Sequence, residues 1–252
     1  MEMKMKAWAI FVHSIRQVFG NLPEALQISG LIYLAQMAIA IALGVTTTAM
    51  EATTEPTGAE ATKVTIAMMA MLIALMWIAV AWHRFVLLNE RPAGYLPQFS
   101  LQRLGRYAGR SILIALLSLL IGMVLWLAFG TLFVGLFGLT WLTELLIVIC
   151  VIVPVLTFLY RLSTILPGVA VDRDLGFADG WVATTGETPT ILILAFLSGV
   201  AAIVLGSPLA LLPEGSILSL LWQVISGWVQ MMISASILTT LYGHYIEKRA
   251  LL

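Results

Sequence analysis

The stretch ILIALLSLLIGMVLWLAFGTLFVGLFGLTWLTELLIVICVIVPVLTFLY, residues 112–160, decides the fold: it is apolar along its length, with Glu144 its only charge. A membrane-spanning helix needs about 20 apolar residues to cross roughly 30 Å of hydrocarbon at about 1.5 Å per residue. The stretch is too long for one span and long enough for two with a turn between them. Gly130, Gly135 and Gly138, followed by Thr140, mark that turn. Laid outward along the chain, the same ruler finds uncharged runs at 26–45, 64–82, 192–212 and 217–242. The expected fold is therefore all-α and polytopic: one membrane domain over residues 1–252, with six spans near 26–45, 64–88, 112–133, 141–160, 190–212 and 217–243 arranged as three hairpins.

Composition leads to the same place. The 252 residues are 61% hydrophobic and 10% charged, with a mean hydropathy of +1.02, whereas a soluble domain carries about 25% charged residues. A water-soluble globule is excluded. Thirteen Lys and Arg balance thirteen Asp and Glu, so no global field draws the chain to nucleic acid, and no nucleic-acid partner is expected. The single cysteine, Cys150, lies in an apolar run and supplies neither a disulfide nor a thiolate cluster for a metal.

The positions of the charges are more informative. Twelve of the thirteen cations, all but Lys63, fall before span 1, at or between spans 2 and 3, between spans 4 and 5, or after span 6. Positive residues are retained on the cytoplasmic side during insertion, so both termini are expected there. The opposite side carries the Thr-, Ala- and Glu-rich stretch 46–62, read as a flexible solvated loop.

Residues 4–20 are read as a helix lying in the interface, with Trp8, Phe11, Val12, Ile15, Val18 and Phe19 on its apolar side and His13, Ser14, Arg16 and Gln17 opposite. Residues 101–110 and 174–182 read alike, the first with a basic face of Arg103, Arg106 and Arg110. Three units follow, each an interfacial helix, a glycine-marked break (Gly20-Asn21, Gly109-Arg110, Gly186-Glu187) and a hairpin. Duplication would produce this pattern, and so would a common aromatic and basic belt.

No motif for a nucleophile elbow, P-loop, zincin or dinucleotide fold occurs, and no enzyme activity, cofactor, catalytic residue or metal site is expected. His13, His83 and His244 read as amphipathic anchors at the inner interface. The segment AWHRFVLLNERP, residues 81–92, places Arg84 and Arg91 two turns apart on one helical face. They serve either as a phosphate or docking patch or as snorkelling anchors. With Arg103, Arg106, Arg110 and Arg161 they are the candidate contacts for anionic lipid headgroups or a protein partner at the cytoplasmic face. Gln36 and Gln230 fall near the midplane and are read as interhelical hydrogen-bonding residues, with a shared polar solute site as the alternative. Glu144 is expected at the outer headgroup level, about 25 Å from Arg161 along span 4, so proton coupling through a buried carboxylate is not expected. Pro154, mid-span, reads as a kink or a gating hinge.

The run RLSTILPGVAVD, residues 161–172, followed by Trp181 and Thr184-Thr185-Gly186, resembles the YciC-like bacterial membrane proteins. These are similar in turn to the membrane domain attached to some glycerophosphodiester phosphodiesterases. The Trp82-His83-Arg84 ending of span 2 is similar to the same group. The matches cover about 40 of the 252 residues. The resemblance implies a six-helix inner-membrane protein. It carries over no phosphodiesterase activity, because the chain has neither the soluble catalytic domain nor its metal-binding carboxylates. The leading expectation is a non-catalytic protein that organises lipid or protein partners at the inner leaflet; the alternative is a permease for a small or lipidic solute.

The topology predicts that a periplasmic reporter inserted after residue 55 is active and the same reporter at the C-terminus is silent. An active C-terminal fusion would overturn the orientation.

Overall fold

The computed structural model describes residues 2–45, 58–213 and 215–251. Helix α1 (Glu2–Phe19) precedes α2 (Leu22–Ala42) and α3 (Gly58–Leu88). A non-helical loop, 89–100, leads to α4 (Leu101–Leu125), which passes through a π-helical turn (Trp126–Gly130) into α5 (Thr131–Phe137). After α6 (Trp141–Ile147) a second π-helical turn (Val148–Ile152) leads into α7 (Val153–Ser163). Two short helices, α8 (Leu166–Ala170) and α9 (Phe177–Ala183), precede α10 (Thr188–Gly206) and α11 (Ile217–Tyr245). Six helical stretches are long and apolar enough to cross a membrane: Leu22–Ala42, Gly58–Leu88, Leu101–Phe137, Trp141–Ala170, Thr188–Leu211 and Ile217–Tyr245. The chain is an all-α, multi-pass membrane protein. The stretch 46–57, most of the expected outer loop, lies outside the described residues.

Local chemistry sets the ends of these helices. Ser100, Thr140 and Ser216 accept the N–H of the residue three positions on, which satisfies one of the free donors of a helix start. Pro23 and Pro189 sit in first turns, where their missing N–H is harmless. The expected central turn is confined to 138–140. Gly138, at φ +66°, ends α5, whereas Gly130 and Gly135 are helical. Pro154 opens α7 directly after the second π turn, whose wider backbone spacing accommodates the lost donor.

The bundle is built on α11. Half of its span is buried, against 11% for Leu101–Phe137, so the last helix is central and the α4–α7 hairpin peripheral. One core joins α2, α3 and α11 through Ile28, Ile32, Ile78, Trp82, Trp228 and Met232. A second joins α1, α10 and α11 through Ile10, Phe11, Leu194, Ile237 and Leu241. The third joins α3, α4, α7 and α8 through Val80, Tyr107, Ile114, Leu162 and Leu166.

Two expectations are corrected. Helix α1 buries Ala7, Ile10, Ser14 and Val18 completely, while Trp8 is 57% exposed and Phe19 also faces out. The small side chains at 7 and 14 let α1 sit against α10 and α11, and Ser14 Oγ–H bonds Thr240 Oγ1 at 3.0 Å. Of the expected apolar side, Phe11 and Val18 pack inward and Trp8 and Phe19 do not, while Ser14 of the expected polar side is buried. The second interfacial helix does not exist as a separate element, because α4 is continuous from Leu101 through Gly109-Arg110. Breaks at Gly20-Asn21 and Gly186-Glu187 are present, with Gly186 at φ +80°.

Lipid tails are as apolar as leucine, so packing and polar contacts, more than hydrophobic burial, hold such helices together. Two indoles do this. Trp82 Nε1–H donates to Ser236 Oγ at 2.9 Å, joining α3 to α11, and Trp228 Nε1–H donates to Ser29 Oγ at 2.7 Å, joining α11 to α2. Ser236→Ala leaves a buried indole N–H without an acceptor, which costs about 1–3 kcal/mol in soluble cores, while interhelical bonds in membranes average nearer 0.6 kcal/mol. We expect about 1 kcal/mol, seen as a fall of about 2–4 °C in Tm in detergent, with Ser236→Thr close to wild type. An unchanged Tm for Ser236→Ala would remove this bond from the account.

Candidate functional site

The ten residues from Arg161 to Ala170 are all buried, at the end of the bundle where the cations gather. The run ends α7, turns at Thr164-Ile165 and forms α8, whose Gly168 is required by space: a Cβ there would lie 2.5 Å from Leu175 Cδ1 and 2.8 Å from Tyr242. Asp172 follows at φ +64°, a left-handed conformation that Asp tolerates better than most residues. The buried run and this turn deliver its carboxylate to the surface between α3 and α4.

Three arginines converge there. Arg84 Nη1 of α3 donates to Asp172 Oδ2 at 3.1 Å and to the Ala170 carbonyl at 3.0 Å. Arg103 Nε donates to the same Oδ2 at 3.1 Å, and Arg106 Nη2 to Oδ1 at 2.5 Å. Asn89, at φ +55°, ends α3 and turns Glu90 back, so Glu90 Oε2 receives Arg84 Nε and Nη2 at 2.8 and 2.5 Å. Arg110 lies 3.5 Å from Asp174 and over the Phe177 ring. The expected free basic face of Arg103, Arg106 and Arg110 thus meets carboxylates from a segment more than 60 residues away in sequence.

Further pairs fasten the rest of this end. Lys6 bonds Glu187 at 2.5 Å, joining α1 to the start of α10, and Thr190 and Tyr245 hydroxyls also donate to Glu187. Arg173 and Arg249 share Glu247, and Arg249 Nη2 donates to the Leu87 carbonyl at 3.1 Å. Arg91 approaches Glu24 at 3.4 Å, and Gln27 Nε2 donates to the Gly94 carbonyl, pinning the 89–100 loop to α2.

Arg161, expected at the lipid headgroups, is instead turned inward. Its Nε, Nη1 and Nη2 donate to Thr184 Oγ1, Thr188 Oγ1 and the Trp181 carbonyl at 3.0–3.1 Å, and its guanidinium stacks 3.7 Å from the Trp181 ring centroid. No described carboxylate pairs with it. It clamps α7, α9 and α10 together.

His83, expected as an interface anchor, is fully buried. Thr239 Oγ1–H donates to the Ala235 carbonyl, so the Thr239 oxygen accepts from His83 Nδ1–H at 2.7 Å, and His83 Nε2 accepts from the Tyr107 hydroxyl at 3.2 Å. That relay joins α3, α4 and α11. Gln36 and Gln230 are not joined: among the described residues neither side-chain amide makes a hydrogen bond, and the interhelical side-chain bond nearer that depth is Trp228 to Ser29. Among the described residues no cluster of His, Cys, Asp and Glu could hold a metal ion.

Beside Arg84 the 89–100 loop roofs a cavity of about 360 Å3 between α2, α3 and α4. Its floor is Ile28, Trp77, Val80 and Leu104, and its rim includes Arg84, Glu90, Arg91 and Arg103. Phe99 meets Trp77 edge to face at 4.9 Å. Sequence reading singled out the arginines but not this chamber, because no sequence period shows a loop folding over a helix end. No protein-family model, curated protein or solved structure matches the chain.

Partial burial pushes the Asp172 carboxyl up, but the hydrogen bonds and charges of Arg106 and Arg103 outweigh it and hold the group below its ordinary value. Burial likewise raises Glu187, and its bonds from Lys6 and Thr190 bring it below normal. Groups lowered on folding add stability that is complete above the unfolded carboxylate value, about 4, and is lost as pH falls through the folded one. The Tm in detergent should therefore be flat from neutral pH to about 5 and fall below about 4. Asp172→Asn should lower stability at pH 7 by about 1 kcal/mol after solvent screening, read as a fall of about 2–4 °C in Tm, and shallow the acid limb. An acid limb identical to wild type would show that Asp172 does not contribute to it.

Proposed function

We propose that the protein is a non-catalytic, multi-pass membrane protein that organises lipid or a protein partner at the cytoplasmic leaflet. The observation that supports this reading is the segregation of its chemistry. Asp172 with its arginines, the Glu187 and Glu247 pairs and the amphipathic cavity all lie at the end carrying twelve of the thirteen cations. At membrane depth several polar side chains instead bond one another or their own helix, as Trp228 does with Ser29 and Thr157 with the Val153 carbonyl. Such groups stitch helices and offer a solute little. From the charge bias we read both termini as cytoplasmic and the membrane as a bacterial inner membrane. On the run 161–172 the chain is grouped with the YciC-like proteins. That run is packed structure around Gly168 and Arg161, in keeping with a scaffold and not with a reactive centre.

A permease is the second reading, and one observation favours it. The two π-helical turns, Trp126–Gly130 and Val148–Ile152, lie in contact within the α4–α7 hairpin, and such turns recur at functional positions. Their residues are apolar, which suits helix packing or a lipidic solute better than a polar one.

The test compares native lipid and protein co-purification in mild detergent for wild type and for Arg103, Arg106 and Arg110 all changed to Gln. Anionic lipid or a cross-linked partner retained by wild type and reduced severalfold in the variant is expected. Protein carrying neither, yet supporting solute flux in liposomes, would favour the permease.

A further inference from the structure

The cavity under the 89–100 loop has more hydrogen-bond donors than acceptors. Trp77 contributes to its floor, and the Trp77 Nε1–H is buried in the wall without a partner. Arg103 uses only its Nε on Asp172, and among the described residues its two Nη groups bond nothing. Arg91 stands 3.4 Å from Glu24 without a hydrogen bond, its side chain 65% exposed. Glu90, the carboxylate that lines the chamber, is already engaged by Arg84. Buried donors are ordinarily satisfied, so an orphan indole N–H in the wall of a chamber is a donor left for an occupant to engage.

The remaining walls define what carries that acceptor. Ile28, Val80 and Leu104 are apolar, and Leu96 and Phe99 at the rim are about half exposed. Trp77 precedes Arg84 by seven residues on α3, two turns or about 10 Å deeper in the membrane on the same face. Charge is therefore at the mouth, a neutral donor is below it, and apolar surface surrounds both. The volume, about 360 Å3, lies within the range of small-ligand sites. Arg84, Arg91 and Arg103 face Glu90 across the lining with Asp172 and Glu24 behind them, and the donors these carboxylates leave unused favour an anion.

Resting on the lipid-organising reading above, we propose that this cavity binds an anionic phospholipid from the adjoining leaflet. The phosphate sits at Arg91 and the Nη groups of Arg103, a glycerol ester carbonyl accepts the Trp77 N–H, and an acyl chain leaves past Leu96 and Phe99. Free phosphate shares the acceptor chemistry but leaves the apolar floor and the deep indole unmatched.

The test uses delipidated full-length protein in detergent, titrated with phosphatidylglycerol or phosphatidylcholine and read by native mass spectrometry and thermal shift, with inorganic phosphate as a third arm read by thermal shift. Phosphatidylglycerol should bind at least tenfold more tightly than phosphatidylcholine. Trp77→Phe, which removes the donor and keeps a ring, should weaken it about fivefold. Ala93→Trp, which fills the mouth from an exposed loop position, should abolish it without changing the lipid-free Tm. Phosphatidylglycerol binding undiminished in Ala93→Trp would overturn this site while leaving a lipid-organising protein in place. Equal binding of phosphatidylcholine, or a phosphate shift matching that of the lipid, would overturn the anionic phospholipid as occupant. No lipid adduct at all would overturn both this site and the lipid branch of the function.

Discussion

The arrangement depends on neutralising guanidinium groups that the chain crowds at one end of the bundle. Arg84, Arg103 and Arg106 come from two helices and share one carboxylate, Asp172. Left unpaired, three such charges at an interface would repel one another and splay α3 from α4; paired, they fix the distance between those helices. Asp172 can serve only because the ten residues from Arg161 to Ala170 are buried as a packed run. Packing thus positions the charge, and the charge in turn closes the packing. Partly exposed ion pairs are individually weak, and the geometry here is a network in which Arg84 also bonds Glu90 and the Ala170 carbonyl.

Deeper in the membrane a different principle operates. Helices there gain little from leaving lipid for protein, and α11 is held by a few directed contacts: indole to serine, the His83 relay, and Tyr33, whose hydroxyl lies 2.5 Å from where a Cβ on Gly227 would stand. That last contact exists because residue 227 has no side chain. The peripheral α4–α7 hairpin lacks comparable anchors over most of its length and is joined to the bundle chiefly at its charged end, through Tyr107, Leu162, Leu166 and Val169.

What the sequence made legible follows the range of the physics involved. Span number and approximate position depend on local hydropathy, and 64–88 and 217–243 fall within a few residues of the helices found, apart from the added first turns of α3. The helix that carries span 3 begins at Leu101, eleven residues before the expected span, because Arg103, Arg106 and Arg110 look like the face of a separate interfacial helix when their partners are unknown. Those partners, Asp172 and Asp174, are visible as acidic residues but not as neighbours. The same holds for His83, whose burial depends on Thr239 and Tyr107, and for α1, where small Ala7 and Ser14 decided the buried face over Trp8 and Phe19. Of the six candidate arginines, the structure gathers Arg84, Arg91 and Arg103 around one chamber, sets Arg106 and Arg110 beside it, and turns Arg161 inside.

The position of the chamber follows from the cost of charge in lipid. A guanidinium at the bilayer centre costs at least about 2.5 kcal/mol and usually more, whereas at the leaflet surface each adds about 1 kcal/mol of attraction to anionic lipid. A bundle that keeps its carboxylates and arginines at one end can therefore hold a charged group without destabilising its spans. The same ion pairs that close α3 on α4 leave Arg103 with unused donors, because one aspartate cannot satisfy three arginines. Structural neutralisation at Asp172 and a residual demand for acceptors in the adjoining cavity are consequences of one stoichiometric mismatch.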